Sequence, residues 1–293
     1  MKKVLTFIVI SFFLSAPLFS QVEDRFSFLT EKNVVDYAKP FATTLGTAFN
    51  SGGYHSASVS KFFGFSLSFR GMYIMVPDDQ LTFSPSLPNG YTASKPTATI
   101  YGNKGGAYAG PDGYIPFPPG INESAVPVAY PQVTGSFMGT ELLIRYLPSV
   151  DIGETSIGFF GAGLKHSISQ YIPLFPLDMA VQVMYSNFSL KDIIDANNFA
   201  ANVHVSKTFG VFIPYFGLQY ESTGVELKYT IQGDPNSGDP NLRVDKPVSV
   251  DIDGDNNFRA TLGGALKLAI IVLNADVSLS SQTVFSGGLT FEF

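Results

Sequence analysis

The stretch Phe63-Gly64-Phe65-Ser66-Leu67-Ser68-Phe69-Arg70-Gly71-Met72-Tyr73-Ile74-Met75-Val76 decides how this chain reads. Taken at every second residue, one side is Phe63, Phe65, Leu67, Phe69, Gly71, Tyr73 and Met75. The other side is Gly64, Ser66, Ser68, Arg70, Met72, Ile74 and Val76. A period of two belongs to a β-strand, whose successive side chains point to opposite faces. In a soluble sandwich the polar face meets water and is rich in Lys and Glu. Here the first half of that face is Gly, Ser and a single Arg. A membrane barrel has the reverse layout, with the large apolar face toward lipid and small polar groups toward a crowded lumen.

The alternation recurs along the chain. Strands are expected at 44–55, 63–76, 91–101, 134–147, 156–168, 178–190, 197–208, 211–221, 223–232, 256–268, 271–281 and 284–293. The expected fold is therefore all-β: a transmembrane antiparallel β-barrel of about twelve strands, with fourteen as the alternative count. A soluble exported β-protein is the competing class. Tyr73, Tyr146, Tyr185, Tyr220 and Tyr229 fall near strand ends and supply an interfacial girdle in a chain without Trp. Thr208-Phe209-Gly210 and Ser222-Thr223-Gly224 read as hairpin turns.

Composition agrees. Among 293 residues only 14% are charged, against about 25% in ordinary soluble domains. Hydrophobic residues reach 45% and the mean hydropathy is +0.18, which excludes a disordered chain. Without Cys there is neither a disulfide framework nor a thiolate metal site. His55, His166 and His204 share no ligand spacing, so no metal is expected, and no cofactor is. A net charge of -6 disfavours nucleic acid.

Lys2 and Lys3, an apolar run from Val4 to Leu14 and a small residue at Ser20 read as a signal peptide over 1–20. That run is too short to span a bilayer, and the later run from Leu262 to Leu273 is interrupted by Gly263, Gly264 and Lys267. Any crossing must then be made by strands. Residues 21–41 form an N-terminal element, with a helix capped by Thr30, running from Glu31 to about Lys39 and ended by Pro40. It is either a plug in the lumen or a periplasmic lead. Residues 42–293 are the barrel, with long loops at 102–133, expected outside the cell over the pore, and at 233–255. Residues 251–257 resemble a calcium loop, but the Gly comes one place early and the distal Glu is missing.

The polar strand faces place Arg70, Glu141, Arg145, Lys165, His204, Glu221, Glu226, Lys228, Arg259, Lys267 and Asp276 inside the wall as a mixed-charge network. Ile168, Tyr171, Ile172, Leu174 and Phe175 form an apolar loop at a barrel mouth, free to dock greasy ligands or to bury against the 102–133 loop. His204 and Ser206, with Asn202 on the same face, have the spacing of the outer-membrane phospholipase pair. The flanking Gly-rich motif of that enzyme is missing, so no catalytic residue is assigned and the chain is not expected to be an enzyme.

The run from Phe63 to Leu67 continuing to Met75-Val76-Pro77-Asp78-Asp79, then Gly163-Leu164-Lys165-His166-Ser167-Ile168, then Phe175-Pro176-Leu177-Asp178, resembles a family of Bacteroidota outer-membrane barrels distantly similar to FadL-type hydrophobic-compound transporters. The end Gly288-Leu289-Thr290-Phe291-Glu292-Phe293 resembles the aromatic-ended last strand read by barrel-assembly machinery. The resemblance implies an outer-membrane barrel with an N-terminal plug and lipophilic cargo. The chain departs from the transporters in lacking the Asn-Pro-Ala start of their plug and in reading as twelve strands rather than fourteen. The leading expectation is a monomer in the cell outer membrane that binds or passes small hydrophobic molecules. Its partners would be outer-membrane lipid, the assembly machinery through the Phe293 strand, and a hydrophobic small molecule. A docking barrel for a surface or secretion partner is the alternative, and a lipid-acting enzyme in the wall the third.

Overall fold

The structure, a computed structural model, describes residues 29–111, 113–152, 155–172, 174–231 and 243–293. The signal-peptide reading and the first part of the 233–255 loop, through residue 242, lie outside the described residues. Helix α1 (Glu31–Phe49) is followed by strand β1 (Gly64–Met75). Two small hairpins come next, β2 (Thr82–Phe83) with β3 (Thr97–Ala98), and β4 (Ala107–Gly110) with β5 (Gly113–Pro116). Then come β6 (Ala125–Phe137), β7 (Thr140–Ile152), β8 (Thr155–Ser167), β9 (Asp178–Leu190), β10 (Ile194–Ser206) and β11 (Phe212–Ile231). The chain ends with β12 (Lys246–Asp253), β13 (Phe258–Leu268), β14 (Ile271–Leu279) and β15 (Thr283–Glu292). All wall pairings are antiparallel, and they close: β1 bonds β15 on one side and β6 on the other, while β10 bonds β11. Ten strands make the ring, and β12 lies outside it on the far half of β11.

The count of twelve is corrected to ten for four physical reasons. Residues 44–55 belong to α1 and the segment after it. Residues 91–101 lie in the long excursion between Met75 and Ala125. The window 134–147 is a hairpin, because Met138 and Gly139 both take positive φ, as a two-residue turn demands. Its first arm, β6, is hidden in the sequence by Pro127 and Pro131. Lastly, 211–221 and 223–232 are one strand: Ser222, Thr223 and Gly224 pair with Phe199, Asn198 and Asn197, and no turn forms there. Gly210, by contrast, has φ +61 in a true hairpin turn closed by Phe209 and Phe212.

The wall changes character along its axis. Near the turns at 138–139, 207–211 and 269–270, outward side chains are apolar and exposed, as at Phe65, Val181, Val203, Phe216 and Leu218. Inward ones are polar and buried, as at Ser66, Ser68, Gln182, His204 and Gln219. Beyond the cross-strand pairs Tyr73–Phe285, Tyr146–Phe160, Tyr185–Phe199 and Tyr220–Phe258 the pattern inverts. There Met72, Ile74, Phe188, Leu190, Ile194, Val225 and Leu227 are buried inside, and Asn197, Glu226 and Lys228 stand outside. These aromatic pairs form one girdle at the upper edge of the lipid zone. Four of the expected girdle tyrosines belong to it; Tyr229 does not, because it faces inward and is 4% exposed. Phe65 and Tyr73 are eight residues apart, about 20 Å of bilayer at the usual rise and tilt.

One part of the wall is unzipped. Among the described residues β6 pairs β7 only from Val133 to Phe137, although β6 pairs β1 from Ala125 onward. The gap straddles the upper edge of the lipid zone. On β7 it starts at Arg145, one residue below the girdle residue Tyr146, and on β6 it covers Ala125 to Gln132, opposite Met75 to Ser68 of β1. In lipid an unpaired strand edge is costly. Pro127 and Pro131, with no N–H to leave unsatisfied, occupy it, and Arg145 Nε donates to Gln132 Oε1 across it at 3.1 Å.

Phe216→Arg, at mid-height of the outer face, is expected to cost about 2–4 kcal/mol, while Ser222→Arg just above the girdle should cost about 0–1 kcal/mol. Urea unfolding from lipid vesicles reads both.

Candidate functional site

The lumen is filled from within the chain. Helix α1 starts under the long excursion, where Thr30 caps it by accepting from Asn33 N. Asn33 and Ser86 exchange two hydrogen bonds, and Tyr37 accepts from Ile100 N at 3.0 Å while donating to Pro119 O at 2.9 Å. Burial raises the phenol of Tyr101, in the same cap, above its ordinary range, opposed by its hydrogen bond with Thr44. The helix does not stop at Pro40 as the sequence implied. It continues to Phe49, and the carbonyl of Pro40 is taken up by Thr44 Oγ1 and Gln282 Nε2. Residues 42–49 are buried on every side, as in a helix enclosed by protein. Phe49 stacks on Phe159 at 4.4 Å and on Phe188 at 5.5 Å. Gly46 is required here: a Cβ would overlap Thr223 Oγ1 and Asn256 on the wall. The described part of the N-terminal element, 29–49, lies inside the ring with its second half packed on the inner wall.

The end of α1 meets the strongest polar grouping of the lumen. A helix leaves its last four carbonyls without partners. Arg145 Nη1 donates to Phe49 O at 2.7 Å and its Nη2 to Ser51 O at 2.9 Å. Arg259 Nη2 donates to Thr47 O at 3.2 Å, and Nη1 bonds Ser51 Oγ. Tyr130 OH lies against both Ala48 O and Ser51 O, under the Arg145 guanidinium. Gln219 Nε2 donates to Asn50 O at 3.1 Å. Two cations at the negative end of a helix dipole are favourable in themselves. Arg259 is also held by Glu221, with 3.0 Å to both carboxylate oxygens, and both side chains are buried.

From Gly52 the chain descends the lumen toward the short turns. Gln182 Nε2 donates to Gly53 O, and Tyr54 stacks on His204 with ring centres 4.0 Å apart. Gly217 in the wall leaves the room that Tyr54 needs. His55 bridges Arg70 at 2.9 Å and Glu292 at 3.0 Å. Ser206 Oγ accepts from Ala57 N, so it is engaged by the plug, and His204 Nδ1 meets Asn202 Oδ1. Below this segment a cavity of about 440 Å³ opens at the short-turn end. Lys165 and Glu141, opposed on the neighbouring strands β8 and β7, pair in its wall at 2.9 Å, and Lys267 and Glu292 pair at its rim at 2.6 Å.

Of the eleven charged or imidazole side chains expected inside, nine face inward. Arg145, Glu221 and Arg259 gather at the helix end; Arg70, Glu141, Lys165 and Lys267 line the cavity. Asp276 accepts from Tyr215 OH at 2.7 Å, and His204 lies under Tyr54. Glu226 and Lys228 are corrected: they point outward, where Lys228 pairs with Asp195 and Glu226. That part of β11 has left the lipid zone, so its apolar parity packs inward on α1. The uncharged contacts Gln182 and Gln219 escaped a search for charges, although they share the inward parity of expected strands, while Tyr130 and Gln132 lie on the arm of β6 that reads as loop and carried no such signal. The apolar loop is also corrected in place. Ile168, Tyr171, Ile172, Leu174 and Phe175 lie at the short-turn end, opposite the 102–133 segment, and cannot bury against it. Tyr171, Ile172 and Leu174 are exposed, and Tyr171 is bonded to His166 at 3.0 Å. The long excursion itself ends at 124, because 125–133 are wall. In the segment 251–257, which resembles a calcium loop in part, Asp251 and Asp253 lie on β12 and Asp255 pairs with Lys39. Among the described residues no three His or carboxylate groups come together as a metal site. No helix of the described residues is long and apolar enough to cross a membrane.

A closed antiparallel wall with a lipid-facing belt and an internal plug defines a transmembrane β-barrel of the outer-membrane type. The chain belongs to the family of unknown function DUF6588, whose pattern matches residues 1–293. No curated protein matches it. Among solved structures it is similar to the outer-membrane channel DcaP of Acinetobacter baumannii, at 12% identity and a TM-score of 0.21 over 79% of this chain and 96% of that one. It is also similar to the Ralstonia pickettii toluene transporter TbuX, at 10% identity and 0.23 over 84% and 92%. CdiB from Acinetobacter baumannii matches at 11% and 0.21, over 80% of this chain and 60% of CdiB.

Arg259→Met is expected to cost about 3–5 kcal/mol, because it strands the buried Glu221 carboxylate. Adding Glu221→Gln should recover most of the loss, and thermal unfolding of the single and double variants measures this.

Proposed function

We propose that this protein is a gated outer-membrane barrel that binds or passes small hydrophobic molecules, and that residues 29–63 are its gate. The observation that carries the reading is the plug lying beside the unpaired β6–β7 edges, which open at the upper edge of the lipid zone. An apolar molecule leaving the lumen by that seam enters lipid without crossing water. The bore that α1 occupies supports the same cargo class, since Met72, Ile74, Phe188, Leu190, Ile194 and Val225 line it. Export by residues 1–20, insertion by assembly machinery through the strand ending at Phe293, and a monomeric state belong to the same reading. Phe293 and Phe65 exchange backbone hydrogen bonds, so the last residue closes the seam between β15 and β1. Short turns face the periplasm in such barrels, which puts the 440 Å³ cavity on that side.

In planar bilayers the wild-type chain is expected to be insulating. Arg145→Ala with Arg259→Ala, which frees the helix end, should give discrete conductance steps, and an apolar dye should enter vesicles carrying that variant faster. A steady open conductance in the wild type, or a folded double variant that neither conducts nor takes up dye, contradicts the gate.

A further inference from the structure

The charges of the lumen do not cancel. Glu141 is engaged by Lys165, Glu221 by Arg259 and Glu292 by Lys267. Arg145 is satisfied by helix carbonyls, and Asp276 by Tyr215 OH. Among the described residues no carboxylate lies within ion-pair distance of Arg70, and the lumen is left with one cation in excess. Arg70 is 3% exposed, and its Nη groups reach only Asn274 and His55. Its Nε has no hydrogen-bond partner. Asp276 and Glu141 act on it only from beyond ion-pair distance, and a buried guanidinium without a contacting carboxylate is unfavourable. This one lines the 440 Å³ cavity.

We infer that this cavity is a binding site for a singly charged phosphodiester, the headgroup of a phospholipid, with Arg70 as its anchor. Guanidinium binds phosphate oxygens with two parallel hydrogen bonds, and one negative charge balances the excess. Hydroxyls complete the lining. Ser66 is bonded to Thr134 at 2.8 Å and Ser68 to Thr290 at 2.9 Å, and each pair retains one O–H to donate. The mouth identifies the source. It is bordered by Phe63, Phe65 and Phe293, all exposed at the lipid edge, so acyl chains lie in the bilayer while the phosphate enters. The site does not require the plug to move, and its failure would leave the gate untouched.

Isothermal titration of the full-length protein in a non-ionic detergent tests this with three probes: dihexanoylphosphatidylglycerol, inorganic phosphate, and dihexanoylglycerol, which has the tails without the phosphate. Saturable binding of the phospholipid is expected, with none of the diglyceride. Arg70→Gln should weaken it about tenfold or more, the effect of losing a charge-assisted pair. Should that variant fail to fold by heat-modified gel mobility, Ser66→Val with Ser68→Val removes hydroxyl donors and leaves the charge, and is expected to weaken binding as well. Equal binding of the diglyceride, binding unchanged in the folded variants, or no binding at all overturns the site. Binding of inorganic phosphate alone overturns the lipid source.

Discussion

The carbonyls at the C-terminus of α1 are the groups on which the closed barrel depends. A helix ending inside a protein must have those oxygens satisfied without bulk water. Arg145, Arg259, Tyr130 and Gln219 do this from four different strands, so the helix end is tied around much of the wall. The remaining fit follows from that anchor. Gly46 lets the helix lie against β11, and Gly217 admits Tyr54 once the chain has turned at Gly52. Removing one of these ties leaves a buried charge or carbonyl unpaired, which costs more than the bond contributed.

Enclosing a helix also explains why the wall inverts its polarity. In the lipid zone the outside is hydrocarbon and the inside is a polar lumen, so apolar groups point out. Above the girdle the outside is water and the inside is packed helix, so apolar groups point in. Strands β1 and β11 cross both zones, and their apolar parity changes from Phe69 to Met72 and from Tyr220 to Val225.

That change is where the sequence misleads. A phase shift in an alternating pattern also arises at a turn, and Ser222-Thr223-Gly224 has turn-forming residues, so one 20-residue strand reads as two. The same ambiguity sends Glu226 and Lys228 to the wrong face. The prolines of β6 hide a strand because proline argues against a paired interior, and here its neighbour β7 is unpaired over that stretch. The helix reads as ending at Pro40, since local propensity cannot weigh the packing that carries it to Phe49. Strand 178–190 was legible to the residue because Val181, Val183 and Tyr185 alternate without a break, and its inversion to Phe188 and Leu190 mimics no turn.

The sequence alone determined the class of wall, the lipid-facing residues within the membrane zone and the identity of most inward charges. Those follow from side-chain period and from the solvent on each side, both local properties. Only the tertiary structure decided that the lumen is closed, which charges meet, and that Arg70 is left over beside a cavity. Pairing depends on which strands become neighbours and on what fills the space between them. Gln219 and Arg145 come from strands far apart in sequence, and they meet at one helix end because the ring closes around it.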